Sequence, residues 1–307
     1  MTLSTEESAS AGELYAQGRR LDAAPAALGL MRPSDDVADD PKRLQERLAL
    51  DGYLYVPGVL DRDEVLAARH AVLHRLAAEG RLAPGSRPED AVPGPDLTNA
   101  VRDDLAQETP ELRSVLYAGR MPAFFQRLFG EPVRHFDYTW LRPVPPGLGT
   151  APHGDSVFMN RGTANLLTCW VPLGDVDLDL GGLLVLEGSH RLEDVRRDYH
   201  TRDVDTYCDN TDRRPTPDAP VWTGFYAMDP VQLRSQTGLR WVTSRFRAGD
   251  LVTFPMFTLH GSLDNTSSRV RLSCDIRYQR ASEPADPRWV GPAPAGHGPD
   301  SKVGLIC

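Results

Sequence analysis

The segment FPMFTLHGSLDNTSSRVRLSCDIRY (residues 254–278) carries the clearest backbone signal in the chain. In its second half, Val270, Leu272, Cys274, Ile276 and Tyr278 fall on one face, and Arg269, Arg271, Ser273, Asp275 and Arg277 on the other. Residues i and i+2 share a face of a strand, so 269–278 reads as a β-strand with one apolar and one polar side. The polar side is either a solvated edge or the lining of a wet pocket, and alternation alone does not choose. In the first half, His260 follows an apolar strand at 251–254 and its extension, and precedes a Gly-Ser turn.

Working outward, TAPHGDSVFMNRG (150–162) sets an imidazole and a carboxylate two residues apart. In extended chain His153 and Asp155 point to the same side, while Gly154 keeps the other side uncrowded. One nitrogen and one hard oxygen converging in this way would hold a metal ion, with His260 the candidate for a third ligand. Two imidazoles and one carboxylate on one face leave three positions open on an octahedral metal. That suits Fe(II) binding a cosubstrate in two positions and O2 in the third. An arginine from the polar face of 269–278 could then grip a carboxylate bidentately, better than a lysine.

The rest of the chain sets bounds. It has 307 residues, enough for one large domain or two ordinary ones with a sizeable core. A net charge of -9 and a pI near 5.4 argue against nucleic-acid or anionic-membrane partners, whose binding surfaces are basic. Cys169, Cys208, Cys274 and Cys307 show neither close pairing nor zinc-ribbon spacing, which fits reduced thiols in a cytoplasmic protein. The N-terminus is acidic without an apolar h-region, and no run approaches the ~20 apolar residues of a membrane span.

Along the chain, residues 1–40 read as a loose arm with one short helix. Asp40-Pro41 then caps a helix to about Leu50, a short strand follows at 53–56, and Asp61 with Glu64 caps a helix ended by Gly80. Two shorter helices are expected near 111–118 and 122–129. Beyond Gly130, VRHFDYTWLRP, NLLTCWVPL, GLLVLEG, DLVTFP and RVRLSCDIRYQ are strand-like. Helices early and strands late predict an α+β chain, a β-sandwich or barrel with helices against one side. Residues 191–245 form a long polar-aromatic insertion, and loops of that length are more often lids than idle connections. Its Tyr199, Tyr207, Trp222, Phe225 and Tyr226 suit either a small core or a substrate wall; Arg202, Asp203 and Asp205 read as solvated charges. Residues 281–307, rich in Pro and Gly, read as a weakly ordered tail.

These segments together resemble the phytanoyl-CoA dioxygenase-like family of Fe(II)- and 2-oxoglutarate-dependent oxygenases. The resemblance rests on DGYLYVPGVLDRDEV (51–65), HGD (153–155), NLLTCWVPLGDV (165–176), GGLLVLEGSH (181–190), AGDLVTF (248–254) and HGSLDNTSSRVRLS (260–273). Their order and spacing hold over about residues 45–280. The resemblance implies a double-stranded β-helix, a jelly-roll of the cupin kind, with supporting N-terminal helices. The oxygenase domain would span 41–280, with 191–245 as its lid.

Position by position, the resemblance makes His153, Asp155 and His260 the iron ligands. It makes Arg271, eleven residues after the distal histidine, the 2-oxoglutarate-binding arginine in preference to Arg269. Ser262, Thr168, Trp170 and Tyr138 match positions lining the cosubstrate pocket. Asp155 departs from the related halogenases, which carry a small residue there. The implied cofactor set is Fe(II), 2-oxoglutarate and O2. The implied reaction is oxidation, most often hydroxylation, of a C–H bond in a small-molecule substrate, with bacterial natural-product tailoring as a setting. A monomer or small homo-oligomer is expected. A cupin-like metal-binding protein without oxygenase activity and a Zn(II) hydrolase on the same triad are the alternatives; neither explains Arg271. His190 reads as structural. His70 and His74, spaced i, i+4, read as a polar helix face for want of a carboxylate-bearing loop nearby.

Overall fold

The computed structural model describes residues 13–206 and 223–298. Its strands in chain order are β1 (Tyr15–Ala16), β2 (Arg19–Arg20), β3 (Leu28–Leu30), β4 (Leu54–Val56), β5 (Val133–His135) and β6 (Trp140–Val144). They continue with β7 (Leu167–Pro172), β8 (Leu183–Leu186), β9 (Trp241–Thr243), β10 (Leu251–Pro255), β11 (His260–Ser262) and β12 (Arg271–Arg280). The early helices form where their caps place them. Asp40 accepts from the Arg43 N–H at the start of Pro41–Asp51, which ends at Gly52 with φ +81°. Asp61 accepts from the N–H groups of Asp63 and Glu64 ahead of Arg62–Ala78, a cap that contributes about 1 kcal/mol. Pro110–Tyr117 and Arg120–Phe129 follow.

Two sheets make the frame. One runs β4-β10-β7-β12-β5, with β6 also on β12; the other runs β11-β8-β9-β3. The pleat decides what each face meets. Cys169, Val171, Leu251, Leu272, Cys274 and Ile276 of the larger sheet pack on Leu44, Val65, Leu76, Leu112 and Phe125 of the helices. From its other face, Trp170, Val252 and Phe254 meet Val185 and Val242 of the smaller sheet, and Phe246 just beyond it. The result is the double-stranded β-helix with helices on one side. β12 is central, flanked by β7 on one edge and by β5 and β6 on the other. Its polar residues Arg271, Ser273 and Arg277 are therefore buried between the sheets, which excludes the solvated-edge reading.

Five expectations are corrected. The described part of the N-terminal arm is not loose: β1 and β2 form a hairpin, β3 pairs in parallel with β9, and a short 3-10 helix follows at Asp35–Val37. Leu14 and Leu21 there cover the outer face of the smaller sheet, against Leu28, Leu184, Leu186 and Trp241. The 191–245 insertion is not wholly a lid, because it contains the helix Pro230–Thr237 and core strand β9. Tyr207 and Trp222 lie outside the described residues.

The tail up to residue 298 packs rather than frays. Trp289 is buried and its ring lies 4.8 Å from Trp140 and 5.2 Å from Tyr138. Nor are Asp203 and Asp205 solvated charges. Arg288, buried in the tail, donates to Asp203 (3.1 Å), Asp205 (2.6 Å) and Asp286 (2.6 Å), tying the insertion to the tail. Finally, His260 opens a strand rather than preceding a turn, since β11 pairs with β8.

Candidate active site

The site lies where β11 meets the chain that leads from β6 to β7. His153 and His260 form a backbone pair, each N–H donating to the other's carbonyl at 2.9 Å, so their side chains emerge together. Asp155 starts the 3-10 turn Asp155–Val157, and Gly154 makes that entry possible. A Cβ on Gly154 would sit 2.5 Å from Cε1 of His200, which is itself anchored to the Ser156 hydroxyl at 2.6 Å.

The three side chains are buried and converge. Asp155 Oδ1 stands 3.8 Å from Nε2 of both His153 and His260. Each imidazole is held from behind: Nδ1 of His153 donates to the Ala151 carbonyl at 2.9 Å, and Nδ1 of His260 to the Thr258 carbonyl at 3.0 Å. That fixes the tautomer with Nε2 as the free acceptor aimed inward, the arrangement metal-bound histidines use. Burial, with His260 adding to it, pushes the His153 imidazole down to about 3, so it stands neutral and ready to ligate. Burial works against charge on Asp155, but Arg277 and the two histidines hold its carboxyl below the usual range. Two imidazoles and a monodentate carboxylate fit Fe(II).

The two oxygens of Asp155 have different neighbours. Oδ2 accepts from Nη2 of Arg277 at 2.9 Å and from the Thr168 hydroxyl. Oδ1 alone is left to face the histidines. Thr168 thus supports the carboxylate directly and is not among the residues lining the cavity. Arg277 is a site residue that the sequence reading passed over. It is buried, its guanidinium lies 4.1 Å over the Trp140 ring, and its Nε approaches the Met159 sulfur at 3.3 Å. Its signal was present: Arg277 shares the polar face of β12 with Arg271, six residues on.

Arg271, Ser262, Trp170, Leu183 and Arg142 line one cavity with the triad and Arg277. Arg271 is 2 % exposed and donates through Nη1 to the Gly181 carbonyl at 2.8 Å; its buried Nε has no partner among the described residues. The nearby carboxylate of Asp275 already accepts from Arg142 at 2.7 Å. Burial lowers Arg271 to about 10, with Asp275 opposing the shift, and it remains cationic at neutral pH. A buried cation with an unused donor, opening on the cavity that holds the triad, fits the far carboxylate of 2-oxoglutarate. The Ser262 hydroxyl accepts from the Thr150 N–H at 2.8 Å and keeps its own proton to donate. Trp170 forms a wall, edge-on to Phe246 at 4.7 Å. Tyr138 is elsewhere, in the aromatic group with Trp140 and Trp289, and is not among the cavity-lining residues. His190 is structural as expected: its Nε2 pairs with the Ala49 carbonyl at 2.9 Å.

The insertion reaches this site through its two described ends. Tyr199 accepts from the Gly154 N–H at 2.9 Å and donates to the Gly224 carbonyl at 2.5 Å. The Tyr226 N–H donates to the Pro152 carbonyl at 2.8 Å. Phe225 and Phe158 stand edge-on to His153, with ring centroids at 6.0 and 5.9 Å.

Comparison with known proteins agrees with this geometry. The chain is 28% identical over 278 residues to 1-deoxypentalenic acid 11-beta-hydroxylase of Streptomyces arenae, covering 80% of this chain and 86% of that one. Its fold matches the non-heme alpha ketoglutarate dependent carbocyclase SnoK from nogalamycin biosynthesis with a TM-score of 0.58 at 26% identity, over 83% and 89% of the two chains. It also matches EctD from S. alaskensis in its apoform, with a TM-score of 0.56 at 19% identity over 84% of each chain. The family model for phytanoyl-CoA dioxygenase matches residues 48–273, a span that begins in the first capped helix and closes on β12 just past Arg271. With the triad and the buried arginine on that same span, the chain belongs to the phytanoyl-CoA dioxygenase family.

Proposed function

We propose that this protein is an Fe(II)- and 2-oxoglutarate-dependent dioxygenase that hydroxylates a C–H bond of a small natural product. The observation that carries the reading is the shared cavity: His153, Asp155 and His260 converge in it, and Arg271 opens on it with no carboxylate partner among the described residues. A hydrolytic or purely metal-binding role would leave that arginine without a purpose. The curated relatives that act on 1-deoxypentalenic acid, and the solved SnoN bound to Fe3+, alpha ketoglutarate and nogalamycin RO, support the same class.

When bound, iron and 2-oxoglutarate supply the activation of O2 that oxidises the substrate. The chain does the rest. His153 and His260 present their Nε2 atoms, and Asp155 presents Oδ1 while Arg277 and Thr168 occupy its other oxygen. Arg271 neutralises the far carboxylate of the cosubstrate, with Ser262 donating beside it. Phe158 and Phe225, edge-on to His153, give the site an apolar wall, which excludes water and suits a compact, largely hydrocarbon substrate. Among the described residues no helix is long and apolar enough to cross a membrane. A cytoplasmic monomer or small homo-oligomer without nucleic-acid partners completes the reading.

The test is turnover of a panel of polycyclic and terpenoid acids, 1-deoxypentalenic acid included, with Fe(II), 2-oxoglutarate and O2. The reading requires succinate in step with a product heavier by one oxygen atom. Hydrolysis of any panel member by the Zn(II)-loaded protein, with no succinate from the iron-loaded one, would reject it.

A further inference from the structure

We propose that His70, His74 and Glu89 form a second metal site on the surface, taking a borderline divalent ion such as Zn(II). The helix Arg62–Ala78 sets the two histidines one turn apart on one face, with ring centroids 4.1 Å apart. The sequence offered them no carboxylate; the fold supplies one from the 3-10 turn Pro88–Asp90. Oε1 of Glu89 lies 2.9 Å from Nε2 of His74 and 3.3 Å from Nε2 of His70. Ligands about 2.0–2.1 Å from a tetrahedral zinc stand about 3.3–3.4 Å from one another. The two carboxylate–imidazole distances are therefore close to the edges of such a polyhedron before any ion arrives, and all three donor atoms lie within 4.8 Å of one another.

Both halves of the site are held in place. The helix buries Val65, Ala68, Val72 and Leu76 on its inner face. The segment that carries the turn is pinned on its flanks by three hydrogen bonds: Ala83 N–H to the Val92 carbonyl (2.9 Å), Gly94 N–H to the Arg81 carbonyl (2.8 Å) and Val270 N–H to the Ala91 carbonyl (2.7 Å). Binding then orders little beyond three side-chain rotamers, all of them about half exposed, and solvent can fill the fourth position. An ion here would brace the turn whose Ala91 carbonyl holds Val270, the residue before Arg271. A plain imidazole–carboxylate hydrogen bond explains one histidine; the approach of both Nε2 atoms to the same oxygen is what a shared ion would use.

Isothermal titration of the metal-free protein with Zn(II) alone, without an affinity tag, separates the two sites. Wild-type protein should take two equivalents. His70→Ala/His74→Ala should take one, and His153→Ala/His260→Ala should keep one. Glu89→Gln should weaken the outer equivalent by about tenfold or more. The altered outer residues are exposed, so those variants should keep the wild-type circular dichroism. Two equivalents in His70→Ala/His74→Ala, or a single one in wild type, would overturn the proposal even if the inner-site variant fails to fold.

Discussion

Arg277 donates from Nη2 to Oδ2 of Asp155 at 2.9 Å, both groups buried, and Oδ1 is left 3.8 Å from each histidine Nε2. A buried ion pair behind a metal ligand does two things. It keeps the carboxylate charged in a dry site, and it reserves one oxygen so that the other binds alone.

Replacing Arg277 with Met should therefore weaken Co(II) or Fe(II) binding, by roughly 10–100-fold on the scale of lost supporting contacts to metal ligands. The visible spectrum of the Co(II) form should change as Asp155 shifts its coordination. Arg277→Lys should recover part of both effects, since a cation returns without the planar fork. Unchanged Co(II) affinity and spectrum in Arg277→Met would show that the pair only fills space.

Arg271→Ala should raise the KM for 2-oxoglutarate far more than it alters metal affinity. Loss of a charge-assisted hydrogen bond from a desolvated site costs about 1.5–3 kcal/mol, or roughly 10–150-fold. Arg269→Ala is the control, and steady-state kinetics with Co(II) titration distinguishes the two effects. If Arg269 is the sensitive residue, the pocket assignment fails.

Much of this was legible because it is local. The alternation of 269–278 sets the register of β12, and the i, i+2 spacing of His153 and Asp155 brings both to one point. Arg277 was not singled out because a polar strand face shows several arginines and not which carboxylate each will meet. Strands β3 and β9 carry three residues each and no period to read; they exist because β9 pairs with β8 and β3 pairs in turn with β9. The tail misled by composition. Its Pro and Gly suggest looseness, but Trp289 and Arg288 are anchored by Trp140, Asp203 and Asp205, partners far away in sequence.

That anchoring should be costly to remove. Arg288 is 2 % exposed among Asp203, Asp205 and Asp286; Arg288→Met leaves the buried Asp286 and Asp205 without their arginine, while Asp203 keeps Arg161 and Asp205 keeps His297. A loss of about 3–5 kcal/mol is expected from urea unfolding. A change below about 1 kcal/mol would mean that the network is hydrated and slack.

His200 should make stability fall in mild acid. Burial, then Arg196, pushes it down to about 4, below the ordinary value near 6.5 of the unfolded chain. The unfolded state then binds the extra proton between those values, so the stability is present above about pH 6.5 and is lost as pH falls toward 4. His200→Phe should flatten the dependence by up to about 1.4 kcal/mol per pH unit in that window. Identical slopes for both proteins between pH 7 and 4.5 would contradict it.

Phe225→Ala should uncouple the reaction by opening the wall beside His153, so that more 2-oxoglutarate is consumed than product is formed. The ratio of succinate to oxidised product measures it directly. Full coupling in this variant would move the substrate wall away from the insertion.

The most direct test of the central claim is the absorption spectrum of the wild-type protein with Fe(II) and 2-oxoglutarate under anaerobic conditions. His153, Asp155 and His260 holding iron beside Arg271 predict a weak visible charge-transfer band from the chelate. The band should be absent in His260→Ala and should require much more 2-oxoglutarate in Arg271→Ala. No band in wild type at saturating iron and 2-oxoglutarate, or an undiminished one in His260→Ala, would contradict the account.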